Sequence, residues 1–170
     1  MNQLLTVEEF KSLRNISKKV DTDKINECIS LAQNIDLMDV LGDFYFELVE
    51  NYEDASYEDL MSGSTFNYNS KTYIHQGIKS YLADLTYTRF VYIINTHFTP
   101  FGLQQKFTED SNPVDRNFIK DLVKQTQADS DVKFKFIDLY IKSQPNLFPN
   151  YKTGNDDSIT TFSQKFYVKK

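Results

Sequence analysis

Apolar residues recur at three- and four-residue intervals along most of this 170-residue chain, and that period predicts a mainly α-helical fold. Thr6-Val7-Glu8-Glu9 has the form of a capping box, in which the Thr6 hydroxyl caps the helix while Glu9 reaches back. It predicts a short helix with Val7, Phe10 and Leu13 on one face. Ser17–Asp21 is a polar break. Asp21 or Thr22 then caps a second helix over Ile25, Cys28, Ile29, Ala32 and Ile35. Asp36 reads as the cap of a third, with Leu37, Val40, Leu41, Phe44 and Leu48 at helical spacing. Gly42 inside it costs about 1 kcal/mol relative to alanine, which implies close packing or a boundary.

Ser56–Asp59 starts one or two turns that stop at Gly63. The period changes in Thr65–Tyr73, where Phe66, Tyr68 and Tyr73 surround Asn69-Ser70, and a small β-hairpin is predicted. The longest clear helix is predicted over about Ile74–Thr96, its stripe formed by Ile74, Ile78, Leu82, Leu85, Arg89 and Ile93, with Tyr81 and Tyr92 beside it. Arg89 in that stripe either snorkels or meets a carboxylate such as Asp84 or one from the acidic segment Asp21–Glu53. Thr99–Gly102 is a break, with Phe101 and Leu103 expected in the core. Pro113 falls in the first turn of a helix running to about Lys142. Its middle, Lys124–Asp131, is polar all round and predicts a bend or a solvent crossing. Pro145 and Pro149 end it. Thr153–Lys170 lacks a helical period, and its β-prone part, Ile159–Val168, is too short to be stable alone. It is expected to add to the hairpin, pack on a neighbour or order on binding. The expected architecture is a helical bundle with a small β-hairpin near 65–73, in a domain of residues 1–152, followed by a C-terminal arm over 153–170.

Charge changes this picture. The net charge of −5 is concentrated: Asp21–Glu53 holds Asp21, Asp23, Glu27, Asp36, Asp39, Asp43, Glu47, Glu50 and Glu53 against Lys24 alone. Fourteen Phe and 11 Tyr with no Trp supply half-buried contact surface of the kind found between subunits. The bias toward lysine over arginine is what AT-rich coding produces. A chain of this length fits one domain and buries roughly 70% of its unfolded surface. No run of 18 apolar residues is present, and MNQLLTVEEF lacks the basic and apolar regions of a signal peptide. The single cysteine, Cys28, forbids an internal disulfide and is expected to be a buried hydrophobe. A protein that is cytosolic, or assembled in a cytosol, is expected.

Candidate chemistry is sparse. His75 and His97 are expected about six turns apart on one helix, roughly 33 Å, and so do not share a metal. The metal-ligand and phosphate-loop motifs HExxH, GxxxxGK[ST] and GxGxxG are absent from the sequence, and so is the nucleophile motif GxSxG. Carboxylate pairs such as Asp36/Asp39 and Asp54/Glu58 sit at helix starts, where they favour the dipole. A Cys28–His75 nucleophile pair would need an exposed cysteine. No catalytic residue, metal or cofactor is therefore expected. Basic residues are scattered, which argues against a basic nucleic-acid surface. Asp39, Asp43, Glu47 and Glu50 form the candidate acidic surface. It is a solvated face, a match for a basic neighbour, or a wall that repels DNA and lets it slide.

LLTVEEFKSL followed by INECISLAQNIDLMDVLGDFYFELVENY resembles the head–tail connector (adaptor, or neck ring) proteins of tailed bacteriophages, nearest to those of Bacteroidales phages including the crAss-like group. In that family an "LLT-x-E-E" helix leads into an "I-x-x-A…L…L-G" pair, carried here by Ile29, Ala32, Leu37, Leu41 and Gly42. YNSKTYIHQGIKSYLADLTYTRFV resembles its hairpin and "H-x-G" helix, at His75 and Gly77. YIKSQPNLFPNY resembles the exit from its last long helix. The resemblance touches most of residues 4–151. It implies a virion subunit, free of catalytic residues, that forms a homo-oligomeric ring (a dodecamer) below the portal. Such a ring binds portal protein on one side and further neck or tail proteins on the other. DNA passes through it without sequence recognition, and no membrane is involved. The interface candidates are Phe66, Tyr68 and Tyr73 of the hairpin, which either protrudes or folds on its own core, and Phe162, Phe166, Tyr167, Lys169 and Lys170 of the arm. The alternative is a small helical interaction or regulatory protein that never enters a particle. An enzyme would require a pocket lined by His75, Arg89 and carboxylates.

Overall fold

The computed structural model describes residues 2–94, 96–99, 102–105 and 114–151. The fold is mainly α, with a small antiparallel hairpin, as the apolar spacing predicts. Helix α1 (Val7–Leu13) starts in the expected capping box: the Thr6 hydroxyl accepts from the Glu9 backbone and the Glu9 carboxylate accepts from Thr6 N. Leu4, Leu5, Val7 and Phe10 anchor it in the core, whereas Leu13 is exposed. Helix α2 (Thr22–Leu31) is capped by Asp21, whose side chain accepts from Asp23 N at 3.0 Å.

The first departure from expectation comes at the end of α2. Asp36 caps nothing. The helix runs on through a π-helical turn (Ala32–Leu37) into α3 (Met38–Leu41) without a break. A π turn takes in more residues than an α turn, so the buried face slips along the sequence. Ile25, Cys28, Ile29 and Ala32 face the core before it, and Leu37 and Leu41 after it, while Ile35 is turned out to solvent. The same slip buries Gln33, which accepts from Leu4 N at 2.8 Å and donates to Asn2 O at 2.8 Å, tying down the N-terminal segment. Gly42 is the true end of this helix. Its φ of +56° suits glycine, and a Cβ there would meet nothing within 4 Å, so it marks a boundary and not a close contact.

Helix α4 (Phe44–Asn51) comes next, then a 3₁₀ turn (Ala55–Tyr57) and α5 (Glu58–Ser62), which stops at Gly63. Strands β1 (Ser64–Tyr68) and β2 (Lys71–His75) pair antiparallel with Phe66 opposite Tyr73. Asn69 and Ser70 both have positive φ, the two-residue mirror turn that matches strand twist. Helix α6 (Gly77–Ile94) is shorter than expected and begins after the hairpin, so His75 and Ile74 belong to β2. Its buried set, including Ile78, Tyr81, Leu82, Ala83, Thr86 and Phe90, runs around most of its circumference, which makes it the central helix. A second hairpin, β3 (Thr96–Thr99) with β4 (Gly102–Gln105), flanks the break expected at Thr99–Gly102, and its strands are absent from the expectation. His97 is therefore on a strand, and the expected burial of Phe101 and Leu103 lies outside what the structure describes.

Helix α7 (Arg116–Ser143) starts at its Asp115 cap and is continuous through the polar middle that predicted a bend. That middle does not cross open solvent: Thr126 and Ser130 are buried, and Thr126 returns its hydroxyl proton to Leu122 O at 2.9 Å. α7 lies along α6 and carries the β1–β2 hairpin. Past its end, Phe148 is buried edge-on against Phe44, Tyr57 and Tyr140, closing the bundle. The C-terminal arm over 153–170 lies outside the described residues.

Candidate functional site: the acidic face and the hairpin

The hairpin folds on its own core. Phe66 is 6% exposed, stacked on Tyr73 and edge-on to Tyr140, so it leaves the set of interface candidates. Tyr68 and Tyr73 are half-buried. Ile74, on the opposite face of β2, is 69% exposed and forms a shallow apolar groove with Val132 and Phe136 of α7. Phe162, Phe166, Tyr167, Lys169 and Lys170 lie outside the described residues.

His75 is buried at the base of the hairpin. Its Nε2 lies 3.1 Å from Ser64 Oγ, and its ring stacks on Tyr140 at 4.2 Å. Burial lowers its affinity for a proton, which nearby Asp59 only partly offsets. A histidine whose folded pKa lies below its unfolded value near 6.5 binds fewer protons in the native state. Its contribution to stability is full above the unfolded pKa and is lost as pH falls through the window below it. Urea denaturation at pH 7.5 and 5.5 is expected to show that loss, and His75→Gln is expected to flatten it.

Cys28 is fully buried and its thiol is pushed up to about 11 by desolvation, as an inert core residue requires. No group of three metal-ligating side chains is present among the described residues.

Arg89 finds its carboxylate in the acidic segment. Its Nε and Nη2 each donate to Asp36 at 2.7 Å, a two-pronged fork from α6 to the π turn. The alternative carboxylate, Asp84, is taken. Asp84 is nearly sealed off within α6, with Arg14 Nη2 at 2.6 Å and Lys133 Nζ at 2.8 Å. Arg14 also lies over the Tyr87 ring at 4.8 Å. This triad joins α1, α6 and α7, and the apolar pattern alone does not predict it. Its signal is nonetheless present in the sequence: Asp84 sits between Leu82-Ala83 and Leu85, on a helix with little polar surface.

Asp39, Asp43 and Glu50 are exposed, with Glu53, Asp54, Glu58 and Asp59 continuing the same character. Glu47 is the exception. It is half-buried and accepts from the Tyr57 hydroxyl at 2.8 Å and from Asn150 Nδ2 at 2.9 Å. The described ion pairs include Asp36 but none of Asp39, Asp43 or Glu50. No helix of the described residues is long and apolar enough to cross a membrane.

No curated protein matches this chain, and no solved structure does. One family model matches, over residues 37–160, well over half of the chain, starting at the last residue of the π turn. The chain thus belongs to DUF6712, a family of unknown function.

Proposed function

We propose that this protein is a structural subunit of the neck of a tailed phage, one copy of a ring that joins portal to tail around the DNA path. The observation that supports this most is where the connector-like residues fall. Ile29, Ala32, Leu37 and Leu41 are the buried seam of the α2–α3 helix, and Gly42 ends it at a positive φ. His75 and Gly77 join the hairpin to α6, and Phe148 anchors the exit from α7. The residues that carry the resemblance are those on which the helical frame of this chain turns. The exposed carboxylates beyond the Asp43–Glu50 face of α4, Asp39, Glu53, Asp54, Glu58 and Asp59, suit a basic neighbouring subunit, and equally a conduit whose wall repels phosphate so that duplex slides without adhering.

Mass spectrometry of purified particles from the phage that encodes the chain tests the proposal. The protein is expected there at ring stoichiometry relative to the portal. Its absence from particles sinks the reading and leaves the non-virion interaction protein.

A further inference from the structure

We infer that the acidic outer face of α4 is the docking site of the basic C-terminal segment, residues 159–170, of the same chain. Asp43, Phe46 and Glu50 are spaced by three and four residues, so they share one side of the helix, and all three are exposed. Phe46 is 57% exposed, an aromatic knob between carboxylates. Between Lys24 and Lys71 the sequence has no lysine or arginine, so nothing local in sequence neutralises this face.

Residues 159–170, ITTFSQKFYVKK, are its chemical complement. They carry Lys165, Lys169 and Lys170, no acid, and the apolar Phe162, Phe166 and Tyr167. Carboxylates matched by lysines and an exposed Phe matched by aromatics make an interface with an apolar centre and a charged rim.

The choice of the chain's own segment rests on where the described fold ends. Tyr151 packs edge-on against Phe44 of α4 at 5.1 Å, and Asn150 Nδ2 reaches Glu47 of the same helix at 2.9 Å. The segment is therefore rooted on the helix it is proposed to bind. The intervening residues 152–158, KTGNDDS, span up to about 24 Å when extended, against a helix about 10–12 Å across. A short tether of this kind holds its end at an effective concentration on the order of millimolar, which a separate copy does not match in dilute solution.

The test is a cross-linking rate measured on the full-length protein. Cysteines are placed by Glu53→Cys, one turn beyond Glu50, and Ser163→Cys, with a short bismaleimide as the linker. Asp43, Phe46, Glu50 and the lysines stay intact, and the buried Cys28 is silent. A Phe118→Cys/Ser163→Cys protein supplies the random-encounter rate, since Phe118 is exposed and about 30 Å along α7 from Asp138, where Tyr151 is anchored. The 53–163 link is expected within single chains, about tenfold faster than the reference. Changing Lys165, Lys169 and Lys170 to Glu is expected to bring it to the reference rate. Adding Asp43→Lys and Glu50→Lys to that protein is expected to restore it. Links that join two chains, a rate equal to the reference, or a rate indifferent to charge reversal each overturn the inference. Particle composition decides the neck reading and this rate decides the docking, so each can fail alone.

Discussion

Gly77→Ala is expected to destabilise the protein by about 3–5 kcal/mol, from left-handed backbone strain and overpacking together. Gly77 has a φ of +79°, and a Cβ there would lie 2.5 Å from both Gly63 N and Met61 O and 2.6 Å from Ser62 C. Gly63, at φ +92°, stands in the reciprocal position, its Cβ falling 2.6 Å from His75 O. The chain enters the hairpin through one glycine and leaves through the other, and the two backbones touch where they cross. The obstructing atoms are main chain, so no side chain can swing aside. The crossing also adjoins the Ser64–His75 pair at the base of the ladder, so relief by movement sacrifices strand pairing. Gly42→Ala is the matched control. Its φ is +56° and ψ −134°, a region open to glycine, but a Cβ meets nothing within 4 Å, so strain alone applies, about 1–3 kcal/mol. Urea denaturation of both variants separates the effects. Equal losses at the two sites would mean that the crossing at Gly63 and Gly77 is not tight.

The second large effect is expected at Asp84. Asp84→Asn keeps the shape and removes the charge, leaving Arg14 and Lys133 to face each other across a neutral amide. Removing one member of a buried ionic group in this way costs about 3 kcal/mol or more. The Asp84 side chain is 2% exposed, and its two cations are 23% and 20% exposed, so the carboxylate is the member with no route to water. Burial holds the Asp84 carboxyl above the ordinary carboxylate range even with Lys133 and Arg14 beside it. Burial thus offsets what the two cations supply, and the triad as a whole adds little to stability. The loss in Asp84→Asn comes from an amide that turns its own N–H donors toward Arg14 and Lys133 and leaves both cations unpaired. Replacing all three at once, Arg14→Met with Asp84→Leu and Lys133→Met, is expected to return stability to within about 1 kcal/mol of the parent. The same denaturation series reads both. An Asp84→Asn loss that the triple change does not recover would mean that the polar cluster itself supports the fold.

Local chemistry made much of this fold legible. The capping box at Thr6, the Asp21 cap, the Asn69-Ser70 turn and the stop at Gly63 are decided by a few adjacent residues, and each stands where the sequence puts it. The misreadings share a different cause, because they depend on what lies across the core. Asp36 reads as a cap from its neighbours, yet Arg89, 53 residues away, fixes its role. Ile35 fits an ideal helical stripe, and the π turn puts it outside. The polar stretch of α7 looks solvent-borne until Thr126 and Ser130 are seen buried on the side where the helix packs. At the candidate site, charge was readable because no lysine or arginine lies between Lys24 and Lys71. The inward turn of Phe66 was not, since a two-stranded hairpin offers two faces and only α7 decides which is covered.

The π turn also bears on how such chains tolerate changes of length. A π bulge is geometrically a single residue let into an otherwise ordinary helix. Deleting one residue between Ala32 and Leu37 would let α2 and α3 run together as plain α-helix, with Leu37 and Leu41 brought to the ordinary four- and eight-residue spacing from Ala32. Cys28, Ile29, Leu37 and Leu41 would keep facing the core, and the change would fall on the turn's own contacts, from Gln33 to the N-terminal segment and from Asp36 to Arg89. The turn therefore absorbs one residue without rotating the helix on either side of it, and the family match begins at Leu37, its last residue. Related chains are expected to differ by single-residue gains or losses within this turn, and to keep their helical spacing on both sides of it.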